Sequence, residues 1–153
     1  PGNKNKTNYK LKKFKKMGRV FFNTRMHIDT STLTNTTAYT MLQSDSGKTF
    51  MVSGGTQAIT LPPAADLEEG WNCRFVTSAS PSGAKTLAAG SAIIHGTHQD
   101  PDTDKGAGTD GTAVSNLLIA AAGQAGNFCE LFTDGSLYYF NADASQNAAF
   151  TTS

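Results

Sequence analysis

At 153 residues, with 15 glycines and only 16% charged side chains, the chain has room for one domain plus appendages, and its composition argues against a helical bundle. No apolar run approaches the ~18 residues that span a bilayer, the basic start has no apolar segment behind it to make a secretory signal, and a proline at position 1 reads as a cytosolic product that has lost its initiator methionine. The net charge of +1 conceals a separation: residues 1–25 hold nine of the 13 basic residues and no acidic one, so this arm carries +9, while residues 26–153 carry 13 − 9 = 4 basic and all 12 acidic residues, or −8.

The arm comes first in the chain. Its charge is supplied by Lys4, Lys6, Lys10, Lys12, Lys13, Lys15, Lys16, Arg19 and Arg25. Leu11, Phe14 and Met17 recur every third residue among them, and Phe21 and Phe22 follow. That spacing fits either one amphipathic helical turn or an extended segment with apolar anchors, and the run is too short to decide. Residues 26–38 are Thr-rich and β-prone, a linker or a first edge strand.

From Ala38 onward the pattern is strand, turn, strand. Tyr39–Gln43 is a short strand and Asp45-Ser46-Gly47 a turn. Lys48–Ser53 alternates, with Phe50 and Val52 on one side, and Gly54-Gly55 is expected to close a hairpin onto Gln57–Leu61, where Ile59 and Leu61 share a face. Pro62-Pro63 stops that strand, because proline donates nothing to a ladder. Leu67–Gly70 reads as a helical turn ended by glycine, and Trp71–Thr77 as a strand with Trp71, Cys73 and Phe75 on one face. Ala84–Leu87 and Ala92–His95 are weaker strands, and residues 96–113 are too polar for a core and read as an exposed loop. Ser115–Ala121 is a strand. Asn127–Thr133 and Ser136–Asn141, with Asp134-Gly135 between them, carry the clearest hairpin signal in the chain. The tail from Ala142 is small and polar, with Phe150 as an anchor.

Eight or nine short strands with glycine turns predict an all-β domain: a small antiparallel β-barrel or sandwich over residues 38–153, preceded by an extended basic arm and linker over 1–37. A body this small buries a modest fraction of its surface, and its Ala/Gly/Thr-rich strands suit close packing between copies.

Catalytic and metal chemistry finds little footing. Ser46-Gly47-Lys48-Thr49 has the end of a phosphate-binding loop, but Leu42 stands where the first glycine belongs and a strand follows instead of a helix. Asp100, Asp102 and Asp104 alternate like calcium ligands, yet Lys105 and Gly111 occupy the positions that would need glycine and glutamate, so a solvated acidic loop is the better reading, one able to receive a neighbour's basic arm. His95 and His98 lack a third ligand nearby, and Cys73 and Cys129 read as two small buried hydrophobes rather than a bridge. There is no G-x-S-x-G nucleophile elbow. The expectation is a protein without enzymatic activity and without a cofactor.

The arm itself has two functional readings. It would neutralise phosphates, with Tyr9 and Phe14 free to stack on bases, or dock on an acidic protein surface with its apolar residues as anchors. Lysine outnumbers arginine seven to two, which suits diffuse attraction better than bidentate base reading, so protein docking ranks ahead of nucleic acid.

The run from Leu42 to Val76 resembles a small β module of tailed-phage virion proteins. The resemblance rests on the D-S-G-K-T turn (Asp45–Thr49), the Gly-Gly turn, the strand ending in Leu-Pro-Pro (Leu61–Pro63), the glycine before an aromatic strand (Gly70, then Trp71–Val76), and the closing G-N-F-x-E-L-x-x-D-G-x-x-Y-Y-x-N stretch at Gly126–Asn141. It covers about two-thirds of the chain, and the arm is no part of it. It implies a trimer-forming β domain without catalytic residues, of the kind found in capsid decoration (cement) proteins and in tail-fibre and head-fibre proteins. Together with the arm it leads to an expected capsid decoration protein on the outer surface of a virion, made in the host cytoplasm. Its expected partners are the major capsid protein and copies of itself, with no membrane. The arm residues named above, Leu11, Phe14, Phe21 and Phe22 among them, would form the contact. A tail-fibre or head-fibre adaptor is the alternative, with a nucleic-acid-binding protein behind it.

Overall fold

The computed structural model describes residues 30–33, 37–99, 107–109, 111–121, 123–145 and 148–153. Among the described residues twelve strands form two sheets: β1 (Thr30–Leu33), β2 (Tyr39–Thr40), β3 (Thr49–Val52), β4 (Gln57–Thr60), β5 (Asn72–Thr77), β6 (Lys85–Ala88), β7 (Ile94–Gln99), β8 (Ala107–Gly108), β9 (Asn116–Ile119), β10 (Phe128–Thr133), β11 (Tyr138–Asp143) and β12 (Phe150–Thr152). The seven-stranded sheet runs β1-β3-β5-β10-β11-β7-β8 and the five-stranded sheet β12-β9-β6-β4-β2.

Both sheets are mixed, which corrects the antiparallel expectation. The ladders β1·β3, β3·β5, β2·β4, β4·β6 and β7·β11 are parallel, and the remaining five described ladders are antiparallel. The first six strands alternate between the sheets, so the chain winds as three two-strand coils stacked in parallel. The parallel crossover that a sheet normally makes with a helix is made here by a strand of the opposite sheet. Residue alternation was read correctly, because a strand covered on one face alternates whichever way its neighbour runs.

The hairpin expected at Gly54-Gly55 does not form, since β3 and β4 belong to different sheets and that turn carries the chain between them. Its carbonyl groups are claimed by the next coil: Ser82 and Gly83 N–H groups donate to the Gly54 oxygen, and the Lys85 ammonium donates to the Gly55 oxygen. The helical turn expected at 67–70 lies earlier, as a 3-10 turn at Ala64–Asp66. Residues 96–113 are not one exposed loop: β7 continues to Gln99 and β8 pairs with it, with His98 buried.

The two inner faces share one core. Phe50, Val52, Phe75, Leu131 and Phe140 from the larger sheet meet Ile59, Leu87, Leu117, Ile119 and Phe150 from the smaller. Phe50 stacks on Phe75 at 5.3 Å, and Trp71 meets Tyr138 edge to face at 6.2 Å. Each such ring contributes about 1.5–3 kcal/mol by leaving water, and the polar atoms carried in with them are bonded. The Trp71 indole N–H donates to the Leu42 oxygen at 3.3 Å and the Tyr138 hydroxyl to the Pro62 oxygen at 2.6 Å. Cys73 and Cys129 are free thiols buried on this face, as the sequence suggested.

The β10–β11 hairpin forms the middle of the larger sheet. Its loop is four residues, since Thr133 faces Tyr138 in register. The Asp134 carboxylate accepts the Ser136 and Leu137 N–H groups, both at 2.8 Å, and Gly135 takes φ +87°, where a side chain would be strained.

Candidate partner-binding face

All thirteen arm residues named as the expected contact, from Lys4 to Arg25, lie outside the described residues, as do Asp100, Asp102 and Asp104. Other sequence candidates fall where their chemistry is spent on structure. The Lys48 ammonium does not point into a phosphate cradle; it donates to Asp45 at 2.7 Å, and Thr49 opens a strand. The Asp45 carboxylate also accepts the Leu42 N–H at 2.9 Å and the Tyr39 hydroxyl at 3.1 Å. Burial of Asp45 works to raise its pKa, but these bonds, led by that from Lys48, outweigh it and hold the carboxyl below its ordinary range. His95 and His98 are three apart in one strand and therefore face opposite sides of the sheet. Among the described residues no three His, Cys, Asp or Glu side chains converge as a metal site would require.

The outer face of the seven-stranded sheet is the feature the sequence reading missed. Strand register places Asn72, Phe132, Tyr139 and His95 side by side across β5, β10, β11 and β7. Phe132 and Tyr139 rings lie nearly parallel with centroids 5.4 Å apart, and Tyr139 and His95 follow at 6.3 Å. Phe132 keeps 46% of its surface exposed. The next row is Arg74, Glu130, Asn141 and Thr97. The Arg74 guanidinium lies 3.8 Å from Glu130 and 4.2 Å above the Phe128 ring, itself an outward residue of the third row. The Arg74–Glu130 pair is solvent-facing and contributes little to stability. The stacked rings contribute more by geometry than by buried area, since their neighbours fix their orientation.

This surface was legible in principle. In Phe128–Thr133 the inward residues are Cys129, Leu131 and Thr133, so Phe128 and Phe132 occupy the outward phase where a solvent face would carry polar groups. Tyr139, between two inward aromatics, does the same in β11.

One end of this face is acidic. The turn before β5 packs on the β10–β11 loop: Gly70 N–H donates to the Thr133 oxygen at 2.9 Å, and Thr133 N–H donates to the Trp71 oxygen at 3.0 Å. Asp66, Glu68 and Glu69 on that turn and Asp134 in the loop are all exposed. Asp134 also accepts the Tyr139 hydroxyl at 3.0 Å. The Leu137 and Ser136 N–H groups, in that order, hold its carboxyl below the usual range. Leu42, 57% exposed, lies at the same end, on a turn whose Gly47 N–H donates to the Asn72 oxygen at 2.7 Å. The segments carrying Leu42 and Phe132, the two most exposed large apolar side chains among the described residues, thus meet at the end of the sheet where the four carboxylate-bearing residues lie.

The outer face of the five-stranded sheet differs. Its central rows are Ala58, Thr86, Leu118 and Thr151, then Thr60, Ala88 and Asn116: uncharged, and small apart from Leu118. Near its end a shallow groove of about 450 Å³ is lined by Leu61, Pro63, Ala64, Ala89 and Ile93 among others.

No protein-family model and no curated protein matches this sequence.

Proposed function

We propose that this chain is a non-catalytic structural protein of a phage virion, a decoration or cement protein that binds the major capsid protein on the outside of the shell. The observation that carries the reading is the charge division between a +9 arm and a −8 remainder folded as a small two-sheet β body. A cationic segment with apolar residues at Leu11, Phe14, Phe21 and Phe22 suits an acidic surface it can cross, with lysines steering encounter and apolar residues anchoring it.

Two further observations support it. Several of the residues behind the resemblance to phage modules have structural duties. Asp45 closes its turn, Pro62 receives Tyr138, Gly70 joins Thr133, and Asp134-Gly135 turns the central hairpin. To that extent the signature marks a fold and does not by itself choose a partner. The Ala/Thr face of the five-stranded sheet, in turn, allows close approach of another copy, as a trimer around a three-fold axis needs. Many modest contacts repeated around one shell would hold it strongly against internal pressure.

The test is binding of the full chain and of a chain lacking residues 1–25 to purified shells free of this protein. Loss of binding with an unchanged oligomeric state and a still cooperatively folding body is the expected result; undiminished binding by the shortened chain would refute the arm as the contact. Copy number in particles separates the alternatives. A ratio near one or one-third per shell subunit marks decoration, and a few to a few dozen copies per particle mark a tail or fibre adaptor. A nucleic-acid role would show as a DNA affinity falling with log salt at a slope of about −8 if all nine charges met phosphates.

A further inference from the structure

We infer that the aromatic and acidic end of the seven-stranded sheet's outer face is a docking surface for the basic arm of the same chain, residues 1–25. The inference concerns the free protein and holds whether or not the chain decorates a shell.

Charge complementarity is the first argument. Of the ten charged side chains among the described residues, Lys48 is bonded to Asp45, Lys85 is buried against Gly55, and Arg74 sits beside Glu130 and over Phe128. Asp66, Glu68, Glu69 and Asp134 then cluster at one end of the sheet, with no basic side chain among their described bonds. Residues 1–25 bring nine cations and no anion. Exposed carboxylates attract such a segment through the ~10 Å over which charges act at 0.1 M salt.

The rings are the second argument. Phe132, Tyr139 and His95 present a row of π systems beside the carboxylates, and Leu42 lies past Asn72 at the same end. A lysine ammonium over an exposed ring adds about 0.5–1 kcal/mol, and the same rings accept apolar residues such as Leu11 or Phe14 between the lysines. A uniformly acidic patch would offer the first contact and lack the second.

The third argument is where the arm joins the body. The chain enters β1 at Thr30, and β1 is an edge of this same sheet. Register aligns Thr30 with Thr49, Arg74 and Glu130. β1 and β5 run parallel, so the residue pair two steps before Arg74 and Glu130, which is Asn72 and Phe132, lies at the end from which the chain enters β1. Three strand spacings, about 14 Å at 4.8 Å each, separate β1 from β10. A segment of 25 residues reaches several times that distance. Tethering on this scale gives an effective concentration of order millimolar, which favours the chain's own arm over that of another copy.

The experiment places a photo-crosslinking residue at Asn72 of the full chain, and in a second protein at Asn141, both exposed on this face. Ala58, exposed on the opposite sheet, is the control. Crosslinked peptides are identified by mass spectrometry from an equal mixture of unlabelled and ¹⁵N-labelled protein. Crosslinks to residues 1–25 within one isotopic chain are expected from the two face positions. Their yield should fall several-fold at 1 M salt and in Glu68→Lys/Glu69→Lys, which alters only exposed side chains. A yield no higher than at Ala58, crosslinks only between differently labelled chains, or indifference to salt and charge reversal would each overturn the assignment.

Discussion

The Tyr138 hydroxyl donates to the Pro62 carbonyl oxygen at 2.6 Å, joining residues 76 apart in sequence. Tyr138 opens β11 in the larger sheet, and Pro62 follows β4 in the smaller, so one hydrogen bond ties the sheets together at one end. The Tyr138 side chain is fully buried. Removing the hydroxyl in Tyr138→Phe keeps the ring and orphans the Pro62 oxygen, a loss of about 1–3 kcal/mol. Urea unfolding should show a lower midpoint at an unchanged slope. An unchanged midpoint would mean that water takes the bond over without loss.

Asp45 makes stability depend on acid. Its folded pKa lies below its unfolded value, because the bonds from Lys48, Leu42 and Tyr39 outweigh the effect of burial. A depressed carboxylate pKa contributes stability that is present above the unfolded value, about 3.9, and is lost as pH falls through the folded one. The thermal midpoint should therefore drop below about pH 4, with Asp134 adding to the effect. Asp45→Asn should lower the midpoint at pH 7 and flatten the acid limb; an acid limb as steep as that of the parent chain would assign it to other carboxylates.

What was legible in the sequence follows from what alternation encodes. Phe50, Val52, Trp71, Cys73, Phe75 and Phe150 are core residues as read, and the hairpin at Asp134-Gly135 forms because its turn chemistry is local. Strand partners were less accessible. The Gly54-Gly55 turn resembles a hairpin turn in sequence, and only the distant Ser82–Lys85 segment, which bonds its carbonyls, shows that it crosses between sheets. The outward aromatic row was missed for a related reason. Phe132 and Tyr139 face each other across the local hairpin, but His95 is distant in sequence and joins their row only through the register of β7 with β11.

The thiols report on opening of the core. Cys73 and Cys129 are buried on adjacent strands, and burial pushes both thiols up, that of Cys73 further through its proximity to Cys129. Little thiolate forms at neutral pH, and the nucleophile is the thiolate. Alkylation at pH 8 should modify neither cysteine in the folded chain and both in denaturant, as read by intact mass. Rapid labelling of either without denaturant would place it outside a closed core.

Gly96 controls the junction of β7 with β11. It pairs in parallel register with Phe140, and a Cβ added there would run into the Phe140 carbonyl oxygen and ring. Phe140 is an inward core residue, so neither atom has room to move aside. Gly96→Ala should therefore separate β7 from β11 and cost about 1–3 kcal/mol, as at other overpacked sites, instead of the gain of up to ~1 kcal/mol that alanine brings over glycine in an ordinary strand. Because His95 is the adjacent residue, the substitution should also disturb the His95–Tyr139 stacking. The imidazole proton shifts of His95, followed by NMR alongside the unfolding midpoint, should change together with it. A lower midpoint with unmoved His95 shifts would confine the strain to the core side of the sheet.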